Sequence, residues 1–453
     1  METATQTLHR LTSYAPGRAF DRPPVDDPRV VAGLQTNDMA RFPWFFKRYA
    51  QPLPRVALPR DLPPTAAPAI AVLAGAVAVP RAEPDLAQLS RLLYLSAGVV
   101  RTMERPFGDF LFRAAGSAGG RCPLELYVAV PEGSPLPAGV HWYDPLDHAL
   151  VQVGPAPRGG APAVIVTGVP WRTGWRYRER GYRHVYWDAG TMLAQLLAAA
   201  DSAGLSVTLH TRFPDARVAA LTGADQIHEV PVAVVALGET PPALEPAGPA
   251  VTGEVDAAPV EFPLVTAAQR AGERDAFGPP WDRGAPVPVS AADAPAPVED
   301  VIMARGSARR MNGGRGLPRE VLHTSMSVAM RGISLPHWVV VHDVAGLAPG
   351  VYRWPAMSAP VHPGAAANPP TAPLSPPSGV TAAVIPPGQS LRASATRRSP
   401  VRPGAQCPLP PAAAAPAASR RTRVRRRRVL ARRGARPASR PRRRRTAPRC
   451  RCG

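Results

Sequence analysis

The stretch "SAGGRCPLELYVAV", residues 117–130, runs four small or flexible residues and an arginine straight into an apolar segment. Leu124–Val130 has the length and composition of a buried strand. Ahead of it, a Ser-Ala-Gly-Gly turn lets backbone amides come close to a partner, and the adjacent Arg121 makes that partner an anion. Taken alone, Gly119-Gly120 also reads as an ordinary tight turn.

Working outward, "DLAQLSRLLYLSAGVV" (85–100) places apolar residues at helical spacing and predicts an amphipathic helix. "AIAVLAGAVAV" (69–79) is too short to span a bilayer, which takes about 20 residues, and reads as a buried helix or strand. "PLPAGVHWYDP" (135–145) predicts a turn and a short aromatic strand, and "APAVIVTGVP" (161–170) another buried strand. "DAGTMLAQLLAAADSAGL" (188–205) is the clearest helix, with Asp188 as N-cap and Gly204 in the C′ position. Strands are expected at Leu205–His210 and Val232–Leu237.

The formal charge of +21 suggests a nucleic-acid partner until it is located. Residues 392–453 hold 21 Arg, no Lys and no acid; in the rest of the chain 33 Lys and Arg balance 33 Asp and Glu. The body is neutral. The tail carries no aromatic residue for stacking on bases, so nucleic acid is not the expected partner. Of four cysteines only Cys122 lies outside the tail, which suits a reducing cytoplasm. The N-terminus lacks the basic and apolar regions of a signal peptide, so the protein is expected to be cytoplasmic with no membrane partner. The ten histidines show no metal-ligand spacing, and no metal is expected. Lys47 is the only lysine.

"PHWVVVHDVAGLAPGVYRWP" (336–355) repeats "PLELYVAVPEGSPLPAGVHWYDP" (123–145), with Gly350 corresponding to Gly139 at a separation of 211 residues. That interval implies a duplicated domain. The expected organisation is a wrapping segment (1–64), a first domain (65–240), a Pro/Ala-rich linker (241–300), a partial second domain (301–358) and a disordered tail (359–453). The Arg, Pro and Ala mixture of the tail is what a shifted reading frame yields in GC-rich DNA.

Three stretches, "LLYLSAGVVR" (92–101), "FRAAGSAGGRCPLELYVAV" (112–130) and "WRYRERGYRHVYWDAG" (175–190), together resemble the nitroreductase superfamily, and within it the SagB/ThcOx branch of FMN-dependent dehydrogenases. The resemblance implies an α+β nitroreductase-like fold with an antiparallel-dominated sheet flanked by helices. It also implies FMN as cofactor, and either a homodimer or a tandem pseudo-dimer whose second unit is incomplete here. By resemblance Ser117, Ala118, Gly119 and Gly120 lie against the flavin, Arg121 faces ribityl oxygens or phosphate, and Arg101 joins the cofactor-binding set. "RGSARR" (305–310) resembles the branch's flavin-phosphate motif, with Arg305, Ser307 and Arg309 gripping the phosphate. Arg180 and Arg183 match positions that stabilise reduced flavin.

Azoline-oxidising members carry a Lys-Tyr pair where this chain has Arg176-Tyr177. Arginine stays protonated and cannot act as a base. Either Tyr177 works with an anion-stabilising Arg176, or the substrate is not a thiazoline. Thr191 stands where relatives often have His. The resemblance implies hydride transfer between substrate and FMN in a peptide azoline dehydrogenase, with partner proteins of a peptide-modifying complex. A degenerate, non-catalytic scaffold and an enzyme acting on a non-peptide substrate are the alternatives.

Overall fold

Why the chain's apolar runs become one sheet follows from their spacing, and the elements appear in this order. A capping box starts helix α1 (Ala4–Thr12): the Gln6 amide donates to Thr3 Oγ1, and the Thr3 amide donates to Gln6 Oε1. Edge strand β1 (Arg55–Ala57) and the short helix α2 (Ala69–Leu73) come next. Helix α3 (Leu86–Ala97) is capped by Asp85 and buries Leu89, Leu92, Leu93 and Leu95. A hairpin of β2 (Val99–Met103) and β3 (Phe110–Arg113) leads to the small-residue turn. Then follow β4 (Leu124–Val130), β5 (Gly139–Asp144), β6 (Ala149–Gly154), β7 (Ala163–Gly168), α4 (Pro170–Tyr177), α5 (Gly181–Ser202), β8 (Val207–His210), α6 (Asp215–Thr222) and β9 (Val230–Leu237). Helices α7 (Pro263–Gly272), α8 (Val298–Ala304) and α9 (Arg319–Ala329) precede a hairpin of β10 (His337–Val341) and β11 (Gly350–Trp354). The computed structural model describes residues 2–14, 27–104, 110–290, 296–307, 312, 315–358 and 360–361; Arg309 and the Arg-rich tail lie outside them.

Seven strands pair antiparallel in the order β1-β6-β5-β4-β7-β9-β8. β4 sits at the centre with all seven residues buried, because apolar groups cover both of its faces. Leu126, Val128 and Val130 belong to the core that also takes Leu92 and Leu93 of α3 and Val185 and Leu196 of α5. Tyr127 and Ala129 meet Phe213, Val218 and Leu221 on the α6 side. At about 1.5–3 kcal/mol per fully buried large aliphatic or aromatic side chain, these two clusters dominate the fold's stability.

The first clear difference from the sequence reading is the start of α5. The helix begins at Gly181, seven residues before Asp188, so Asp188 is an interior residue and not an N-cap. Its carboxylate has a tertiary partner instead, described below. At the other end Gly204 fills the expected C′ role, with φ +71° and a Cβ position 1.9 Å from the Pro80 carbonyl oxygen.

The stretch read from composition as a linker, 241–300, packs on the body. Val255, Phe262, Leu264, Val265 and Ala268 share a core with Trp171 and Trp175 of α4 and with Leu8 and Leu11 of α1. Prolines remove amide donors but not apolar surface, so a proline-rich segment can still be held by burial. The repeat seen in sequence has a structural counterpart: Val130 pairs with Gly139 in the β4–β5 hairpin, and Val341 with Gly350 in β10–β11. The 211-residue offset therefore preserves strand register.

Buried histidines make the fold acid-sensitive. His148 Nε2 lies 2.7 Å from Ser90 Oγ and Nδ1 lies 2.9 Å from the Tyr143 hydroxyl, so both ring nitrogens are hydrogen-bonded inside the core. Burial lowers the pKa of His148 and of His141 to about 4, from 6.5. A depressed histidine pKa means that the unfolded chain binds the extra proton first. Stability is thus fully present above pH 6.5 and lost as pH falls toward 4. Denaturant titrations across that window should show a loss of up to about 3 kcal/mol per histidine, reduced by His148→Gln.

Candidate active site

The turn at the mouth of β4 is one short 3₁₀ segment, Ala118–Gly120, in which Gly119 and Gly120 take φ +61° and +65°. Only glycine adopts this pair without strain. The turn closes on itself, with the Gly120 and Arg121 amides donating to the Ser117 and Ala118 carbonyls at 3.0 and 3.2 Å.

An anion does meet this turn, and the chain supplies it. Asp188 of α5 accepts from Ser117 Oγ at 2.5 Å and from the Ala118 amide at 2.9 Å, while the Cys122 amide donates to Ser117 Oγ at 2.8 Å. Asp188 is 5 % exposed, and burial raises its pKa, with the two hydrogen bonds opposing the rise. A raised folded-state value means the native protein holds the proton longer than the unfolded chain. Asp188's contribution to stability therefore declines as pH rises from 3.8 through the folded value. Asp188→Asn should remove that slope. Asp188→Ala, which leaves the Ala118 amide unpaired, should cost about 2 kcal/mol in urea unfolding.

On the other side of the turn stand Arg176 and Tyr177, the last residues of α4. A Cβ placed on Gly119 would lie 2.8 Å from Tyr177 Oη and 2.9 Å from Arg176 Cδ, so the glycine is what admits both side chains. The Tyr177 ring stacks on His184 of α5, centroids 4.0 Å apart and planes within 5°. Arg176 is exposed, and the space over Gly120 is open for 4 Å. Arg305, just past α8, reaches the segment that leads into the turn: its guanidinium donates to the Ala114 carbonyl at 3.1 Å and lies 3.5 Å from where Gly116 would carry a Cβ. Ser307 is exposed two residues on. A cavity of about 30 Å³ behind the turn, lined by Ser96, Arg113, Cys122, Asp188 and Met192, has room for a water and not for a ring system.

Other residues expected here have partners of their own. Arg121 is 7 % exposed: its Nε donates to the Gly119 carbonyl of the turn at 3.3 Å, and its guanidinium packs over the rings of Phe42, Trp175 and Phe45 at 4.6, 5.0 and 5.2 Å. Arg180 and Arg183 close the C-terminal end of α1. Arg180 donates to the Thr12 carbonyl, and Arg183 to the His9 carbonyl at 2.8 Å and to Thr12 Oγ1 at 2.9 Å. Arg101 lies over the Phe112 ring at 4.5 Å on the β2–β3 hairpin. Thr191 is exposed, its hydroxyl donating to the Trp187 carbonyl at 3.0 Å. Burial pushes the Cys122 thiol up, away from nucleophilic behaviour. Sequence reading missed Asp188's bonds to the turn and passed over His184. The signal was helical spacing from Tyr177 and Gly181, which puts residues 184 and 188 on one face of α5.

Three comparisons bear on this arrangement. Residues 154–239 match the nitroreductase family model. That span runs from the end of β6 to β9 and contains Arg176, Tyr177, His184 and Asp188. A Methanocaldococcus jannaschii protein named "putative nitroreductase" is 28% identical over 168 residues, 34% of this chain and 80% of that protein. The crystal structure of a "putative nitroreductase" from Anabaena variabilis overlays with TM-score 0.53 at 21% identity, covering 78% of this chain and 77% of that one. The fold is nitroreductase-like. A chain of the E. coli microcin synthetase complex aligns at TM-score 0.29 and 16% identity over 53% of this chain and 88% of its own, too loose an overlay to carry a functional argument. The turn enters β4 beside the point where β7 gives way to α4: the Val169 amide donates to the Pro123 carbonyl at 2.7 Å, and Leu124 pairs with Gly168. Among the described residues no group of three or more His, Cys, Asp or Glu is placed to hold a metal, and no helix is long and apolar enough to cross a membrane.

Proposed function

We propose that this protein is an FMN-dependent oxidoreductase whose flavin lies on the open side of the Ser117–Gly120 turn. The observation that carries the reading is the ledge itself: two left-handed glycines, open space over Gly120, Arg176 against Gly119 and Arg305 against Gly116. A planar ring needs such a side-chain-free surface, and a phosphate needs a guanidinium within reach. FMN supplies a two-electron acceptor when bound. Arg305 and Ser307 would hold the phosphate, and Arg176 would offset the negative charge that reduction places on the cofactor. Ser117, fixed by Asp188, keeps the ledge in shape. The β10–β11 hairpin, with its β4–β5 register, supports a second, partial unit of the same kind that brings Arg305 to the first.

For the substrate we propose a heterocycle in a peptide, oxidised from azoline to azole in the manner of the SagB/ThcOx branch. Arg176 in place of the branch's lysine leaves the proton to another group. The test is a visible spectrum of the purified protein before and after FMN addition. Oxidised-flavin bands that persist through gel filtration are expected, and Arg305→Ala should weaken FMN binding about tenfold. A colourless protein that takes up no FMN overturns the proposal.

A further inference from the structure

We propose that His184 is the proton acceptor of this site, taking at Nε2 the proton that a substrate releases when it gives up a hydride. The inference rests on the flavin reading above. Arg176 cannot take the proton, because a guanidinium stays charged at any ordinary pH. His184 lies one ring away from the ledge. It stacks flat on Tyr177, whose hydroxyl marks the Gly119 surface, and it meets the edge of the half-exposed Trp187 at 4.7 Å.

The tautomer is fixed. Nδ1 is 3.1 Å from the Arg180 carbonyl, and a carbonyl only accepts, so Nδ1 carries the hydrogen and Nε2 keeps its lone pair. The charged groups around the ring are Arg180 at the start of α5 and Arg183 on α5 itself. His9 of α1 lies beyond Arg183, and Asp188, one turn along, is bonded to Ser117 and Ala118. Burial lowers the His184 pKa; the hydrogen bond to the Arg180 carbonyl opposes the drop and the charges of Arg180 and Arg183 add to it, and the net lowering keeps the imidazole neutral and ready near pH 7. The step balances as follows. With FMN bound as the two-electron acceptor, the substrate C–H bond would break with its electron pair leaving as hydride, the proton on the neighbouring substrate atom would move to His184 Nε2, and a new double bond would form in the product. The imidazolium then returns its proton to water.

The test has two arms on the full chain. In the first, the His184 Cε1–H resonance is followed by NMR across a pH series, with and without FMN, while absorbance reports bound flavin. A midpoint below 6.5 that moves on FMN addition is expected; a resonance indifferent to bound FMN overturns the proposal. In the second, FMN-loaded protein is mixed anaerobically with 2-phenylthiazoline and flavin bleaching is timed. His184→Gln should bind FMN as well as the parent yet bleach about 100-fold more slowly, without the parent's rise in rate with pH. Equal rates and an unchanged pH profile overturn the proposal with the flavin reading intact. Failure of the parent to bind FMN removes both.

Discussion

Gly119→Val is expected to reduce FMN affinity by 100-fold or more while the sheet stays folded. At φ +61° a side chain strains the backbone by about 1–2 kcal/mol, and a branched one by more. The larger effect is displacement. The new Cβ would sit 2.8 Å from Tyr177 Oη and 2.9 Å from Arg176 Cδ, and because these are outer parts of long side chains, they give way before the turn does. Tyr177 and Arg176 leave the ledge, and a 100-fold loss corresponds to about 2.7 kcal/mol. Gly133→Ala is the control. It has φ +81° and no atom within 4 Å of its Cβ position, so it carries the backbone strain without moving the site. If Gly119→Val and Gly133→Ala bind FMN equally well, the ledge is not where the cofactor lies.

The second large effect concerns stability. Lys47 and Glu229 form an ion pair at 2.6 Å with side chains 0 % and 3 % exposed. The Tyr127 and Thr167 hydroxyls each donate to Glu229 Oε1 at 2.7 Å, and Lys47 Nζ also donates to Tyr127 Oη at 2.7 Å. These residues come from β4, β7 and the approaches to β1 and β9, so the network ties the sheet's centre to the N-terminal segment. Lys47→Met leaves a carboxylate buried without its cation and should cost about 3–5 kcal/mol, a large share of an ordinary domain's stability of about 5–15 kcal/mol. The double variant Lys47→Met/Glu229→Gln should recover most of it, since the uncompensated charge is gone. Equilibrium urea unfolding of the three proteins checks this. A single variant within 1 kcal/mol of the parent would mean that water reaches Glu229.

How much of this could be read from the chain depends on what each feature is made of. The strand Leu124–Val130 was legible because a run apolar at every position but Glu125, set between prolines, has few other fates, and its bounds match. The start of α5 was misread because an aspartate before alanines looks like a cap. What decided otherwise was Ser117, more than 70 residues earlier, taking the carboxylate. The segment 241–300 was judged by its prolines, whereas Phe262, Leu264, Val265 and Ala268 had helical spacing enough to predict a buried face. The arginines were hardest. A guanidinium fits a phosphate, a helix end or an aromatic box equally well, and only the fold assigns Arg121 to Phe42 and Trp175, Arg180 and Arg183 to α1, and Arg305 to Ala114. The turn was singled out for its small residues, and the carboxylate that its Ala118 amide meets is Asp188 of the same chain.

Lys47's solitude has a practical side. As the sole lysine, with its ammonium sealed in the interior, it offers amine reagents nothing on the native surface. A lysine-specific protease can cleave this polypeptide at one peptide bond, and only in molecules that have opened. Two fragments on a gel would therefore clock global opening directly, with no dye or engineered tag.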